Sequence, residues 1–170
     1  PAIAIEGVSG PMSLADRMER HDVAGVSLAV VVDGELAFAQ AYGVRDDITD
    51  EPVTTDTMLQ AASISKPVSA VAVLRLVQSG ALDLDSDVNT WLTSWRVPDS
   101  EHSTDEKVTL RRILTHPAGL SVSGFAGYAT DALLPTTLQV LDGIEPANSP
   151  AVRVTAEPGT RRRYSGGGYT

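Results

Sequence analysis

Residues 58–80 read Met58-Leu-Gln-Ala-Ala-Ser-Ile-Ser-Lys-Pro-Val-Ser-Ala-Val-Ala-Val-Leu-Arg-Leu-Val-Gln-Ser-Gly80. From Pro67 to Val77 the stretch is apolar except at two positions, and its proline is tolerated only in the first turn of a helix. Glycine at position 80 is a typical helix stop. The pattern predicts a helix of about four turns that begins near Ser63 and is buried on most sides.

The start of this helix carries an S-x-x-K pattern, Ser63-Ile64-Ser65-Lys66. Three residues make about one helical turn, so Ser63 and Lys66 share a face, with the hydroxyl among backbone N–H groups that have no helical partner. A helix N-terminus favours a serine alkoxide, and a partly desolvated lysine can lose its proton near neutral pH. These residue types at this spacing indicate an activated nucleophile. The alternative is a helix-capping serine beside a lysine whose stem covers apolar surface.

Composition limits the class of protein. The chain has 170 residues, enough for one domain with a real core, and its apolar and charged fractions of 42% and 21% are typical of a globular protein. A net charge of −9 argues against nucleic acid and anionic membrane as partners. No run of residues reaches membrane-spanning length. Without cysteine there are no disulfides or thiolate metal sites, and the three histidines lack the spacing of a zinc site, so we expect neither metal nor cofactor.

The chain before the long helix predicts a helix and a hairpin. Ser13 can cap a short amphipathic helix that runs to His21. Two β-prone runs, 25–32 and 35–43, are separated by Asp-Gly, which is a strong hairpin signal. The first run is apolar except at one serine, so it is expected to lie centrally in a sheet that is covered on both faces.

Shorter elements follow the long helix. Asp85 or Ser86 can cap a short helix through Trp91, and helical spacing recurs at 109–116 and 136–141. Residues 119–135 are rich in Gly, Ser and Ala, which indicates a loop near a cleft.

The order of these features resembles the serine β-lactamase and penicillin-binding-protein-like hydrolases, in particular the class C β-lactamase-like branch that includes esterases and D-amino-acid peptidases. The matching landmarks are the hairpin at 25–43, Met58 to Lys66 with its helix, Gly80-Ala-Leu-Asp-Leu-Asp85, Leu114-Thr-His-Pro-Ala-Gly-Leu120, and Pro158-Gly-Thr160 leading into Tyr164-Ser-Gly166. The likeness runs from about residue 15 to residue 170. It implies a β-lactamase/transpeptidase-like fold of the α/β (α+β) class, in which an antiparallel sheet is flanked by helices.

The resemblance also implies the chemistry. Ser63 is the expected nucleophile, Lys66 assists proton transfer, and Tyr164 reaches the same hydroxyl. Lys66 and Tyr164 would titrate as a coupled pair, so neither is assigned as the base. The expected substrate is a small molecule or peptide with an amide or ester bond. His116 also matches a landmark, but we expect it to fix the turn at a helix end and leave it outside the site.

Two departures from the family pattern matter. The asparagine of the family's Y-x-N motif, which holds the substrate's amide carbonyl, is replaced by Gly166, so substrate binding there would fall to the backbone of Gly166 or to Ser165. This change favours an esterase or peptidase over a β-lactamase. The family's third motif, a K-T-G or H-x-G on a strand that supplies one oxyanion donor, does not occur. Without that strand, the hairpin would expose apolar faces and an unpaired edge.

We therefore interpret the chain as the N-terminal part of a serine hydrolase. Residues 1–56 would begin the sheet region and residues 57–170 would form a mostly helical region with the S-x-x-K and Tyr164 motifs. A complementary C-terminal segment of the same hydrolase, in the same chain or a second one, is the expected partner. A non-catalytic ligand-binding or regulatory domain of the same fold is the alternative. Periplasmic, secreted and cytoplasmic locations all remain open, as do the oligomeric state and the substrate among β-lactam, ester and D-amino-acid peptide.

Overall fold

The computed structural model describes residues 12–170 in two units that divide after Gln60. The sequence predicts the boundary between the sheet region and the helical region after residue 56, four residues before this division. The first eleven residues of the predicted sheet region lie outside the described residues. Among residues 12–170, no helix is long and apolar enough to cross a membrane.

Helix α1, Leu14–Arg20, opens the first unit. The Ser13 hydroxyl accepts a hydrogen bond from the Asp16 N–H at 3.1 Å, and the Asp16 carboxylate accepts one from the Ser13 N–H at 3.1 Å. This reciprocal pair satisfies two N–H groups that have no partner within the helix. The predicted capped helix is confirmed.

The hairpin follows as β1, Gly25–Val32, and β2, Glu35–Asp46. Its pairing runs from Gly25 opposite Gly43 to Val32 opposite Glu35. Asp33 and Gly34, the two loop residues, have φ of 52° and 83°. Two positive φ angles in a two-residue loop define a turn whose twist matches that of paired strands. The hairpin prediction is confirmed.

A short strand, β3 (Glu51–Pro52), pairs with β2, so the sheet has the order β1-β2-β3. Among the described residues, β1 is an edge strand, and its residues from Ser27 to Val32 are exposed. The expectation that β1 is central and covered on both faces is wrong for this sheet, because β2 is its one neighbour among residues 12–170. The expectation that the hairpin exposes apolar faces and an unpaired edge is confirmed.

The second unit begins with the 3-10 turn Ala62–Ile64, which leads into helix α2, Ser65–Gln78. Helix α2 ends at Gln78, and Gly80, two residues later, has a φ of +75°. There the Gly80 N–H donates to Val77 O at 3.0 Å and the Ala81 N–H donates to Leu76 O at 3.0 Å. A left-handed glycine satisfies the last carbonyl groups in this way. The predicted helix and its stop are confirmed.

Burial of α2 differs from the expectation. Val68 and Val71 are 66% and 61% exposed. The residues of α2 that are partly covered form one stripe, and these are Lys66, Ala70, Val73 and Val77. Spacings of four, three and four residues place that stripe on a single face. The helix is apolar on several sides, but the described residues cover only one of them, so the expectation of a helix buried on most sides is wrong here.

The core of the second unit lies in the segments after α2. Its buried apolar side chains are Val88, Val97, Val108, Ala118, Leu120, Val122, Leu141, Val152 and Val154. Helix α3 (Leu110–Thr115) and helix α4 (Thr137–Asp142) are capped by threonines 109 and 136. A bridge between Leu120 and Val154 joins two irregular segments across this core. The predicted fold class, an antiparallel sheet with helices, is confirmed.

The short helix expected near residue 86 is the 3-10 turn Val88–Thr90. Its cap is Asp87, whose side chain accepts from the Asn89 N–H at 2.9 Å. The predicted cap at Asp85 or Ser86 is wrong: the Asp85 carboxylate accepts from the Arg111 guanidinium, and the Ser86 hydroxyl donates to the Asp83 carboxylate.

The end of α2 provides a test of the fold. We expect Gly80→Ala to lower the free energy of unfolding by about 1 kcal/mol, because alanine is strained at a positive φ. Gly124→Ala is the matched control: neither glycine has an atom within 4 Å of an added Cβ, and only Gly80 has a positive φ. Urea denaturation of both variants measures the difference. An equal loss of unfolding free energy in both variants would show that the positive φ of Gly80 is not the reason why glycine is needed there.

Candidate active site

Ser63 lies in the 3-10 turn that precedes α2, and its side chain is exposed. One turn further on, Lys66 Nζ donates a hydrogen bond to Ser63 Oγ at 3.2 Å. The residue before the serine, Ala62, has φ of +45°, an angle that is uncommon for a residue with a side chain. The structure brings the hydroxyl and the ammonium group together as the spacing predicts.

Tyr164 reaches the same hydroxyl from 101 residues further along the chain. Its Oη and Ser63 Oγ share a hydrogen bond of 2.7 Å. Backbone hydrogen bonds fix the segment around this tyrosine. They run from the Arg163 N–H to His116 O at 2.9 Å, from the Gly166 N–H to Ser123 O at 3.1 Å, and from the Gly167 N–H to Val122 O at 2.9 Å. The loop after α3 therefore holds the tyrosine segment on both sides of residue 164.

A second tyrosine lies beside the lysine. Lys66 Nζ is 4.9 Å from the ring centroid of Tyr164 and 5.6 Å from that of Tyr169. The Tyr169 hydroxyl donates to Leu114 O at 2.9 Å, so this phenol is anchored away from Ser63. Two ring faces near an ammonium group stabilise its positive charge. The sequence analysis missed Tyr169, although a tyrosine five residues after Tyr164 was a visible signal.

His116 contacts the site from behind Tyr164. It ends α3 in the left-handed conformation, with φ of +74°, and is 8% exposed. This agrees with the expected role at a helix end. Its ring centroid lies 4.5 Å from that of Tyr164, and its Nδ1 accepts a hydrogen bond from the Ser165 N–H at 3.3 Å. His116 was expected to lie outside the site, and the structure adds that its ring contacts Tyr164, one of the three predicted catalytic residues.

The two residues predicted to bind substrate face elsewhere. The Ser165 hydroxyl is buried, donates to Ser121 O at 2.7 Å and accepts from the Gly168 N–H at 3.0 Å. Gly166 is buried, and a Cβ there would lie 3.1 Å from Ser123 O. Glycine thus suits the close approach of the loop at 123–125. The structure does not bring the Ser165 side chain to Ser63, because the hydroxyl is held by interior hydrogen bonds.

Charge and burial shift the titration of the aromatic side chains. The side chains of Lys66 and then of Ser63 lower the pKa of the Tyr164 phenol from its usual value of 10.0. Burial, followed by the charges of Arg162 and Lys66, lowers the pKa of His116, which favours the neutral imidazole. Burial raises the pKa of Tyr169, which keeps that phenol protonated. Of the two phenols, Tyr164 is thus the one prepared to release a proton.

This arrangement can move a proton away from a serine hydroxyl. Ser63 Oγ has two partners within hydrogen-bond distance, an amine and a phenol with a lowered pKa. Among residues 12–170, no three His, Asp or Glu side chains are grouped so as to hold a metal ion. A serine hydroxyl with a lysine nitrogen and a phenol in contact has the neighbours that an activated nucleophile would need.

The family model and the solved structures that superpose on this chain identify its fold as β-lactamase/transpeptidase-like. The profile of the Beta-lactamase family matches residues 13–170. The chain belongs to this family, as the sequence resemblance predicted.

Relatives in this family carry hydrolase names. The chain is 39% identical over 102 residues to esterase EstB of Burkholderia gladioli, a match that covers 60% of this chain and 26% of the esterase. The octameric penicillin-binding protein homologue of Pyrococcus abyssi superposes with a TM-score of 0.70 at 27% identity, over 92% of this chain and 35% of that chain. The D-amino acid amidase of Ochrobactrum anthropi SV3, solved with D-phenylalanine, gives 0.68 at 28% identity, over 91% and 39%. The chain thus spans about a quarter to two fifths of the length of these proteins.

Proposed function

We propose that the protein is a serine hydrolase that cleaves an amide or ester through an acyl-enzyme on Ser63. The observation that supports this proposal is the pair of hydrogen bonds at Ser63 Oγ, 2.7 Å to the Tyr164 hydroxyl and 3.2 Å from the Lys66 ammonium nitrogen. A helix-capping serine needs neither contact. The relatives named esterase and amidase support hydrolysis as the reaction class.

The proposed reaction has two steps. Ser63 Oγ attacks the carbonyl carbon of the substrate while its proton passes to the Lys66–Tyr164 pair. The bond to the leaving group then breaks, the pair returns the proton to the leaving nitrogen or oxygen, and the acyl group stays on Ser63. Water activated by the same pair releases the acid and restores the serine. The lowered pKa of Tyr164 suits a group that takes up and returns a proton in this way.

The preferred substrate class is an ester or a D-amino-acid peptide rather than a β-lactam. Gly166 stands where the family pattern has an asparagine, and the Gly166 N–H is already bonded to Ser123 O. The Ser165 side chain is bonded internally and offers no replacement. A substrate whose binding relies on an amide carbonyl held by that asparagine therefore loses a hydrogen bond here.

The proposal includes a complementary segment that corresponds to the part of the relatives beyond the matched region. Within residues 12–170, four large apolar residues are exposed on β1 and four on α2, so they are grouped on two elements rather than scattered. A strand paired with the edge of β1 that has no partner among residues 12–170 would cover the first surface, and apolar side chains packed on α2 would cover the second.

Covalent labelling tests the nucleophile. We expect a fluorophosphonate to phosphonylate Ser63 of the protein in its native form, with loss of fluoride, and expect Ser63→Ala to abolish the adduct. Tyr164→Phe and Lys66→Met should each slow labelling by about 10²-fold or more, because they remove a proton acceptor. Peptide mass spectrometry locates the adduct and time courses give the rates.

Two variants control this experiment. Ser65→Ala removes a neighbouring hydroxyl that takes no part in the hydrogen bonds among Ser63, Lys66 and Tyr164. Lys107→Met removes a lysine whose ammonium group bonds to Ser103 O and Thr104 O. Both should label at the wild-type rate. A modified serine other than Ser63 would refute the assignment of the nucleophile. No adduct on the folded native protein would favour a non-catalytic binding domain over an enzyme.

Substrate preference follows from Gly166. We expect kcat/KM for p-nitrophenyl butyrate or a D-alanyl dipeptide to exceed that for nitrocefin by about tenfold or more, since a missing hydrogen bond to the substrate amide costs about 1.5 kcal/mol. Steady-state kinetics on the native protein measures the ratio. Faster turnover of nitrocefin would refute this preference while leaving the acyl-enzyme proposal intact.

Hydrogen exchange tests the complementary segment. In the native protein, the β1 amides that do not bond to β2 should exchange as slowly as the buried Val152 amide, which donates to Leu141 O at 2.9 Å. The amides of the exposed loop 123–127 provide the fast reference. Exchange of those β1 amides at the rate of the loop would show that no strand pairs with this edge.

A further inference from the structure

We propose that His116 is a positioning residue that holds the Tyr164 phenol against Ser63 through its ring and through the backbone of Ser165. The inference rests on the proposed function of Ser63, Lys66 and Tyr164, and it adds a residue that touches neither Ser63 nor a substrate carbonyl. Two contacts carry it, the ring contact of 4.5 Å between His116 and Tyr164 and the hydrogen bond of 3.3 Å from the Ser165 N–H to His116 Nδ1.

These contacts restrain both the backbone and the side-chain ring of Tyr164. The hydrogen bond holds the backbone directly after Tyr164, and the bond from the Arg163 N–H to His116 O holds the backbone directly before it. The imidazole ring, tilted by 34° to the phenol ring, limits the directions in which that ring can turn. A single histidine thus contacts the tyrosine segment before, at and after residue 164.

Tyr164 depends on such support because it lies largely at the surface. The residue is 44% exposed, and the Ser63 hydroxyl that its phenol contacts at 2.7 Å belongs to an exposed residue as well. By contrast, the Tyr169 hydroxyl is anchored on Leu114 O, and the Tyr169 ring centroid lies 5.5 Å from that of His116. The histidine therefore contacts both an anchored ring and the ring that it positions.

The hydrogen bond defines the required form of the imidazole. Nδ1 accepts the Ser165 N–H, so it carries no proton, and the neutral ring has its hydrogen on Nε2. The charged or titratable groups that face His116 are Arg162, Lys66, Tyr164 and Tyr169, and the first two together with burial lower its pKa below the usual 6.5. The bond to Ser165 is thus present above that usual value and is lost as the pH falls through the lowered pKa.

Two substitutions distinguish the effect of the His116 side-chain contacts from the effect of the left-handed backbone at the end of α3. His116→Gly keeps the left-handed backbone at φ of +74° but removes the ring and the acceptor. His116→Asn also suits that backbone and keeps an acceptor for the Ser165 N–H. We expect the labelling rate of Ser63 to fall in the order wild type, His116→Asn, His116→Gly, with about a 10- to 100-fold loss for the glycine variant.

A double-mutant cycle with Tyr164→Phe distinguishes positioning from a general structural effect. In the Tyr164→Phe background, His116→Gly should change the labelling rate by less than about twofold, because the hydroxyl that it positions is already gone. An equal loss in both backgrounds, or no loss in the wild-type background, would overturn the proposal. If circular dichroism shows that the glycine variant does not fold, the labelling rates of His116→Asn in the two backgrounds are compared in the same way.

A second readout does not depend on catalysis. NMR titration of ¹³Cζ-labelled tyrosine should show the pKa of Tyr164 moving back toward 10.0 in His116→Gly, because the phenol leaves Lys66 and Ser63. If the wild-type protein gives no adduct on Ser63, the proposed function fails, and this titration alone decides the positioning role. An unchanged pKa of Tyr164 would then overturn it.

Discussion

The hydrogen bond of 2.7 Å between Ser63 and Tyr164 is the contact on which the site depends. The S-x-x-K turn brings Lys66 to the serine by local geometry alone, because three residues make one turn. The phenol has to come from 101 residues away, and loop closure over that distance carries an entropic cost that local contacts do not. Whatever fixes the register of the segment at 163–168 therefore fixes whether the chemistry can occur.

That register comes from hydrogen bonds to the loop after α3. Carbonyl groups of His116, Val122 and Ser123 accept N–H groups on both sides of Tyr164, and Leu120 bridges to Val154 across the core. The glycines at 166 and 167 allow this approach, since an added Cβ would lie 3.1 Å from Ser123 O at Gly166 and 2.8 Å from a methyl group of Val152 at Gly167. The glycine that departs from the family pattern thus has a packing reason in this chain.

Local features of the fold could be predicted from the sequence. The capped helix α1, the Asp33-Gly34 turn and the stop at Gly80 each depend on a residue and its immediate neighbours. The pairing of Ser63 with Lys66 is local in the same sense, and Tyr164 was found through the family resemblance. The burial of α2 and β1 could not be predicted, because it depends on which distant elements cover them. The inward turn of Ser165 and the ring contact of His116 also depend on the long-range register of two irregular segments.

The ionisation of Tyr164 follows from contacts rather than from burial. Its phenol is 44% exposed, yet its pKa is lowered, so the neighbouring side chains of Lys66 and Ser63 outweigh the desolvation that acts in the opposite direction. Covering the site would change both effects: less water raises the pKa of a phenol, while a lower dielectric strengthens its attraction to an ammonium group. The attraction to the ammonium group weakens as the two groups move apart, whereas the effect of lost water does not depend on that distance. In a covered site, the pKa of Tyr164 therefore stays low only while the phenol remains against Lys66 and Ser63, so it depends on the residues that hold its ring.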